Sequence, residues 1–130
     1  MYMAMSLDGF IAGPNHELDW LELDRAAPSD LPPSPTALRF DAFMAQVAAM
    51  LMGRGTFDVV QRFPSWPYDD TPVVVATRRP VEAASPTVHP ASGHVAERVA
   101  RARSLAGEGD VYVDGGGMVQ VTARVRREDP

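Results

Sequence analysis

The chain has 130 residues, 45% of them apolar and 22% charged, with a formal charge of −5 and no cysteine. That is the make-up of one globular domain large enough to bury a real core. It excludes disulfides, a thiolate nucleophile and cysteine-ligated metal. It also argues against a nucleic-acid partner held by bulk electrostatics, and it contains no apolar run of the roughly 18 residues a membrane span needs.

Met1 to Ser6 reads as a buried first strand that starts almost at once. No basic region precedes it, and Asp8 interrupts it too early for a signal peptide, which together with the missing cysteines fits a cytoplasmic setting. Leu7 to Asn15 alternates turn formers with apolar residues. Phe10 and Ile11 there need cover from the core or from a flat ligand, and Gly9 and Gly13 free the backbone to wrap around one. Glu17, Asp19, Glu22 and Asp24 then alternate with Leu18, Trp20, Leu21 and Leu23, as in a solvated loop with one buried tryptophan. Pro28 to Pro35 is a proline-rich connector.

Ser34-Pro35 has the form of an N-cap followed by proline at the first helical position, which predicts a helix over Thr36 to Gln46. Val47 to Met52 is uncharged and suits a buried strand, and it runs directly into Gly53-Arg54-Gly55-Thr56. Thr56 is the expected cap of a short helix through Phe63. Arg54, flanked by glycines, is either a solvent-facing turn residue or a fork for phosphate. Pro64 to Tyr68 must be a loop. Pro72 to Ala76 reads as a further strand and ends in Thr77-Arg78-Arg79-Pro80, a hydroxyl and two more arginines. Ser85 to Pro90 is a weak strand or a loop. Ser92 is the expected cap of a helix whose inner face is Val95, Val99, Ala102 and Ala106, with Glu97 and Arg101 as an i, i+4 surface pair and Gly107 as the stop.

Val111 to Val113 is a short strand with no charge, bounded by Asp110 and Asp114, and Gly115-Gly116-Gly117 follows without interruption. The glycine run is either a plain tight turn or a cradle of bare N–H groups for an anion at the strand's carboxyl end. Beyond it, Val119, Val121, Ala123 and Val125 alternate with polar residues as in a strand, while Arg124, Arg126, Arg127, Glu128 and Asp129 suggest a frayed charged tail.

Strand and helix alternate through most of the chain, which predicts an α/β fold with a largely parallel sheet and its strand carboxyl ends on one edge. Asp8 to Gly13, Gly53 to Thr56, Thr77 to Arg79 and Gly115 to Gly117 are expected along that edge. Arginines, hydroxyls and glycine N–H groups there suit an extended ligand with more than one phosphate, each charge-assisted hydrogen bond contributing roughly 1.5–3 kcal/mol. The Rossmann fingerprint and the P-loop are both missing, and His16, His89 and His94 are too scattered for a metal site.

Ser6-Leu7-Asp8-Gly9-Phe10-Ile11-Ala12-Gly13, Met52-Gly53-Arg54-Gly55-Thr56-Phe57-Asp58, Val74-Val75-Ala76-Thr77-Arg78 and Val113-Asp114-Gly115-Gly116-Gly117 resemble the motifs of the bacterial dihydrofolate-reductase-like family, which includes the reductase domain of riboflavin biosynthesis. The motifs stand in the family's order and at its approximate spacing, over residues 1 to about 119. The resemblance implies a three-layer α/β/α fold with a mostly parallel mixed sheet lacking its last strands, and residues 120–130 as an atypical charged tail. It implies an NADPH-dependent reductase of a small heterocycle, pterin-like or ribosylaminouracil-like; the alternative is an inactive or nucleotide-binding-only fragment of such an enzyme.

By the same resemblance, Gly53, Arg54 and Thr56 serve the adenosine-side phosphates, Thr77 and Arg78 the 2′-phosphate region, and Gly115, Gly116 and Gly117 the pyrophosphate. Ala4, Ile11 and Ala12 border the nicotinamide, and Asp8 takes a positioning role near the reacting end. A first strand short of a neighbour would be an open edge, so a homodimer or a marginally stable fragment is expected.

Overall fold

We describe a computed structural model of the chain, covering residues 6, 8–19, 36, 38–82 and 85–128. Met1 to Met5, the expected first strand, and Ser34-Pro35, the expected helix start, lie outside the described residues, as do Trp20 to Asp24. The chain forms two compact units, Tyr2–Phe40 and a larger one of Asp41–Pro130.

In the smaller unit, residues 8–19 form turns and bends. The Ser6 hydroxyl donates to Asp8 Oδ1 at 2.6 Å and accepts the Phe10 N–H at 3.0 Å, while the Gly9 N–H closes a turn onto the Ser6 carbonyl at 2.9 Å. Gly9 sits at φ +91, a conformation that favours glycine. Phe10 and Ile11 are exposed. Glu17 accepts the Asn15 backbone N–H and side-chain amide, both at 2.8 Å, and these bonds hold its carboxyl below the usual range.

The larger unit is built on a four-stranded sheet. Its elements run α1 (Phe40–Met44, its first residue counted with the smaller unit), β1 (Val47–Gly53), α2 (Arg54–Val60), β2 (Val73–Ala76), β3 (Val88–Ala91), α3 (Val95–Ala106), β4 (Asp110–Asp114) and α4 (Gly116–Glu128). The strand order is β3-β2-β1-β4 and every pairing is parallel, so among the described residues the expected mixed sheet is wholly parallel.

The runs Val47–Met52 and Val73–Ala76 carry no charge because both of their faces are covered, as a parallel sheet flanked by helices requires. Alternation sends Met50 and Met52 to one side, where they meet Phe57, Val60, Tyr68, Val73, Val75 and Tyr112. Leu51, Val74 and Ala76 go to the other side, against Ala102 of α3 and Met118 of α4. Met50, Leu51, Met52, Phe57, Val73, Val74 and Val75 are fully buried, which places the core through the middle of the sheet. The result is α/β with helices on the sheet's two faces, consistent with a dihydrofolate-reductase-like three-layer arrangement.

Several local expectations need correction. Of the helix expected over Thr36 to Gln46, the described residues hold only α1, five residues long: Leu38 and Arg39 before it are not helical, and after it Gln46 N–H bonds to the Phe43 carbonyl as the chain turns toward β1. Thr56 does not cap α2: Gly53, still extended at φ −76 and ψ 162, is the N-cap, and Thr56 lies inside the helix. The N-cap of α3 is His94 rather than Ser92, since Gly93 at φ +96 bends the chain in between. Glu97 turns back to accept the His94 N–H at 2.7 Å, the reach of a capping box, instead of lying along the helix toward Arg101. Gly107 at φ +62 ends α3 where expected. Among the described residues beyond Gly117 the expected strand is instead helix: α4 runs through Glu128, so the boundary expected at 119/120 falls within it, while Asp129 of the expected tail lies outside the described residues. Its amphipathic repeat is masked by alternation at Val119, Val121, Ala123 and Val125, and Met118, just before them in the first turn, is the buried residue that fixes which face packs.

Candidate functional site

Register brings the strand ends level. Gly53 is opposite Ala76, Met52 opposite Asp114 and Ala76 opposite Ala91, so Arg54, Thr77, Ser92 and Gly115 leave the sheet along one edge. Neighbouring strands are about 4.8 Å apart, so the ends of β4 and β2, with β1 between them, are separated by roughly 10 Å. Ligands of open α/β sheets bind beyond such an edge.

The β1 and β4 turns touch. A Cβ on Gly115 would collide with the hydroxyl of Thr56 and stand 3.4 Å from its Cβ, and one on Gly53 would be 3.4 Å from Met118 Cγ. Gly115 also has φ +87, so both sterics and backbone conformation ask for glycine there. Gly55 and Gly117 differ: an added Cβ would meet nothing within 4 Å. These two glycines face open space on the rim, beside the first turn of α4, whose leading N–H groups have no acceptor within the helix. The positive end of the α4 dipole points to the same place.

At the other side of β1, the arginine fork is occupied. Arg54 Nε donates to Asp58 Oδ1 at 2.7 Å, and its Nη1 donates to the Pro80 carbonyl at 3.0 Å. Asp58 Oδ2 lies 4.0 Å from Arg79 Nη2, so one carboxylate stands between two guanidinium groups. Thr77 is nearly buried, and its hydroxyl accepts the Arg79 N–H at 3.1 Å, fixing the turn that brings Arg79 to Asp58.

Beneath the glycine turn, Asp114 shares a sheet face with Tyr112. Asp114 Oδ1 accepts the Gly115 N–H at 2.8 Å and the Tyr112 hydroxyl at 3.4 Å, with the Tyr68 hydroxyl as a further donor. Burial pushes the Asp114 carboxyl above its usual range, more than these hydrogen bonds lower it. Tyr68 is pushed up by its own burial and then by the Asp114 charge, and Trp66 packs edge-on against its ring at 5.3 Å.

Of the residues expected at a site, Gly53, Arg54, Thr56, Gly115, Gly116 and Gly117 come together on one rim, with Thr77 and Arg78 one strand along. Ala4 lies outside the described residues. Asp8, Ile11 and Ala12 belong to the smaller unit. Asp58, Asp114 and Tyr68 were not singled out as site residues by sequence reasoning, and Arg79, expected on the edge beside Arg78, is the one of the two that lies near Asp58. A helix starting at Arg54 would have signalled Asp58, which is then one turn away on the same face.

No protein-family profile matches the chain, and no curated protein matches it. Among solved structures it is similar to the crystal structure of a protein of Shewanella sp. PV-4 that bears the provisional name of a riboflavin biosynthesis protein. The two are 32% identical with a TM-score of 0.66 over 90% of this chain. The chain spans 64% of the length of that neighbour, to which it is thus similar in both sequence and fold.

Proposed function

We propose that the chain is an NADPH-dependent reductase domain of the riboflavin-biosynthesis type, acting on a small heterocycle. The observation that carries this reading is the contact of Gly115 with Thr56, which makes one continuous rim of two glycine turns from adjacent parallel strands. The open space at Gly55 and Gly117 suits the close approach of a pyrophosphate to backbone N–H groups. Arg54, Thr77 and the paired arginines one strand away suit the phosphate of the adenosine end. The name and likeness of the Shewanella neighbour favour the same class of chemistry.

The cofactor, when bound, supplies the hydride. The chain's own residues grip the phosphates and align the nicotinamide with the acceptor carbon, while Asp114 and the tyrosines beneath it hold the glycine turn in shape. A cytoplasmic homodimer is the expected assembly.

Titration with NADPH, followed by nicotinamide fluorescence, tests this directly. Saturable binding is expected, and no binding at near-millimolar cofactor overturns it. Substrate-dependent oxidation of NADPH separates a reductase from a domain that only binds the nucleotide.

A further inference from the structure

We propose that the cavity between α1 and the amino ends of β1 and β4 is a binding site for a small organic ammonium. Asp110 opens β4 and Asp114 closes it, so roughly 13 Å of strand separates this cavity from the glycine turn. The site is thus at the opposite edge of the sheet from the glycine rim, and it does not rest on the nucleotide reading.

Phe43, Gln46, Val47, Asp110, Val111 and Tyr112 line a volume of about 150 Å³. A bulge accompanies it. Val47 pairs with Asp110 and Ala49 with Val111, so Ala48 has no partner on β4 and the strand bends beside the cavity. Gly109 makes room for this, since a Cβ there would collide with the Ala48 side chain. The inner wall is aromatic: the rings of Phe43 and Tyr112 meet edge to face, 4.9 Å apart at 88°. The mouth is polar, with Gln46 and Asp110 exposed.

The lining selects the ligand. Asp110 is the one charged side chain among the described lining residues, and it is negative. Gln46 Nε2 already donates to the Ala42 carbonyl at 3.2 Å, which leaves Oε1 as the end that can accept. The Tyr112 hydroxyl is turned to Asp114. Both polar side chains at the mouth therefore offer acceptors, and aromatic rings add attraction for a cation within about 6 Å. Two oxygens are too few for a hard metal ion, and no group of three metal-ligating side chains occurs among the described residues. An apolar body with an ammonium head satisfies both ends. An apolar cavity of about 150 Å³ holds a benzene ring, so the body is ring-sized at most.

The experiment is titration of the whole chain with benzylammonium, benzyl alcohol and benzoate at fixed ionic strength, followed by amide proton–nitrogen correlation NMR. Benzylammonium should saturate with a dissociation constant on the order of 1 mM, shifting the amides of Gln46, Val47, Val111 and Tyr112 most. The neutral alcohol should bind about threefold more weakly or worse, and benzoate should not bind there. Asp110→Asn should weaken benzylammonium about threefold. Gln46→Glu, which adds a second carboxylate at the mouth, should tighten it, and that gain should shrink in high salt. Both positions are exposed, and the same spectra report whether each variant keeps its fold. Shifts that fail to saturate or that map away from the cavity overturn the site. So does equal affinity for the alcohol, or benzylammonium binding unchanged in both variants.

Discussion

Gly115 lies against the side chain of Thr56 so closely that the space a Cβ would need is already filled by the threonine hydroxyl. Two turns far apart in sequence are locked together there, one from β1 and one from β4. Gly115→Ala is expected to destabilise the fold by about 1–3 kcal/mol, from a positive φ and a steric clash together. Thermal unfolding checks this, and a double variant with Thr56→Ala should recover part of the loss. A Gly115→Ala protein as stable as wild type would remove the lock.

Gly117 allows the opposite experiment. An added methyl meets nothing in the protein, and alanine is favoured over glycine within a helix by roughly 1 kcal/mol. Gly117→Ala should leave stability unchanged or slightly raised, yet weaken NADPH by an order of magnitude or more if a phosphate packs on that N–H. Binding unaffected by Gly117→Ala and by Gly55→Ala would move the ligand elsewhere.

Arg54 holds an ion pair with Asp58 and is proposed to grip phosphate, so Arg54→Ala tests both roles. Losing the Asp58 and Pro80 contacts should cost only about 1 kcal/mol, because the ion pair is partly exposed. The preference for NADPH over NADH should narrow at the same time. A ratio unchanged from wild type would take Arg54 out of phosphate recognition.

Asp114 predicts a pH dependence. Burial raises its folded carboxyl above the ordinary value of 3.8, so the folded state prefers the protonated form. The cost to stability is absent below that value, grows as pH rises through the folded pKa, and is fully present above it. Asp114→Asn should therefore gain on wild type in melting temperature at pH 7, with the gain shrinking toward pH 3.5. A difference that stays constant across this range would contradict the assignment.

Much of this architecture is legible in the sequence. The strands at Val47, Pro72 and Val111 are written as short uncharged apolar runs, the first followed by glycine, the second by threonine and the third by Asp114 and the glycine triplet, and all three are found within a residue or two. Helix starts are less legible. Gly53 and Gly93 set the entry of α2 and α3 through backbone shape, which a search for hydroxyl caps at Thr56 and Ser92 does not detect. α4 was hidden because small apolar residues at every second position, Val119, Val121, Ala123 and Val125, satisfy a strand pattern locally, whereas Met118 packing on Leu51 and Ala102 decides for the helix. The partner of Arg54 was missed for a related reason. Asp58 comes into reach only once the helix is known to begin at Arg54 itself.

The strand order carries a consequence for how such a protein is made. With every pairing among the described residues parallel, no two neighbouring strands of this sheet can zip up as a hairpin. β4 docks beside β1, meeting residues synthesised about sixty positions earlier, which is a slow kind of closure. Until it docks, Thr56 has no Gly115 to meet and the rim of glycine turns has only one half. If the rim holds the proposed nucleotide, that competence should appear late in refolding, so that cofactor capture, followed over time, would serve as a clock for the final step.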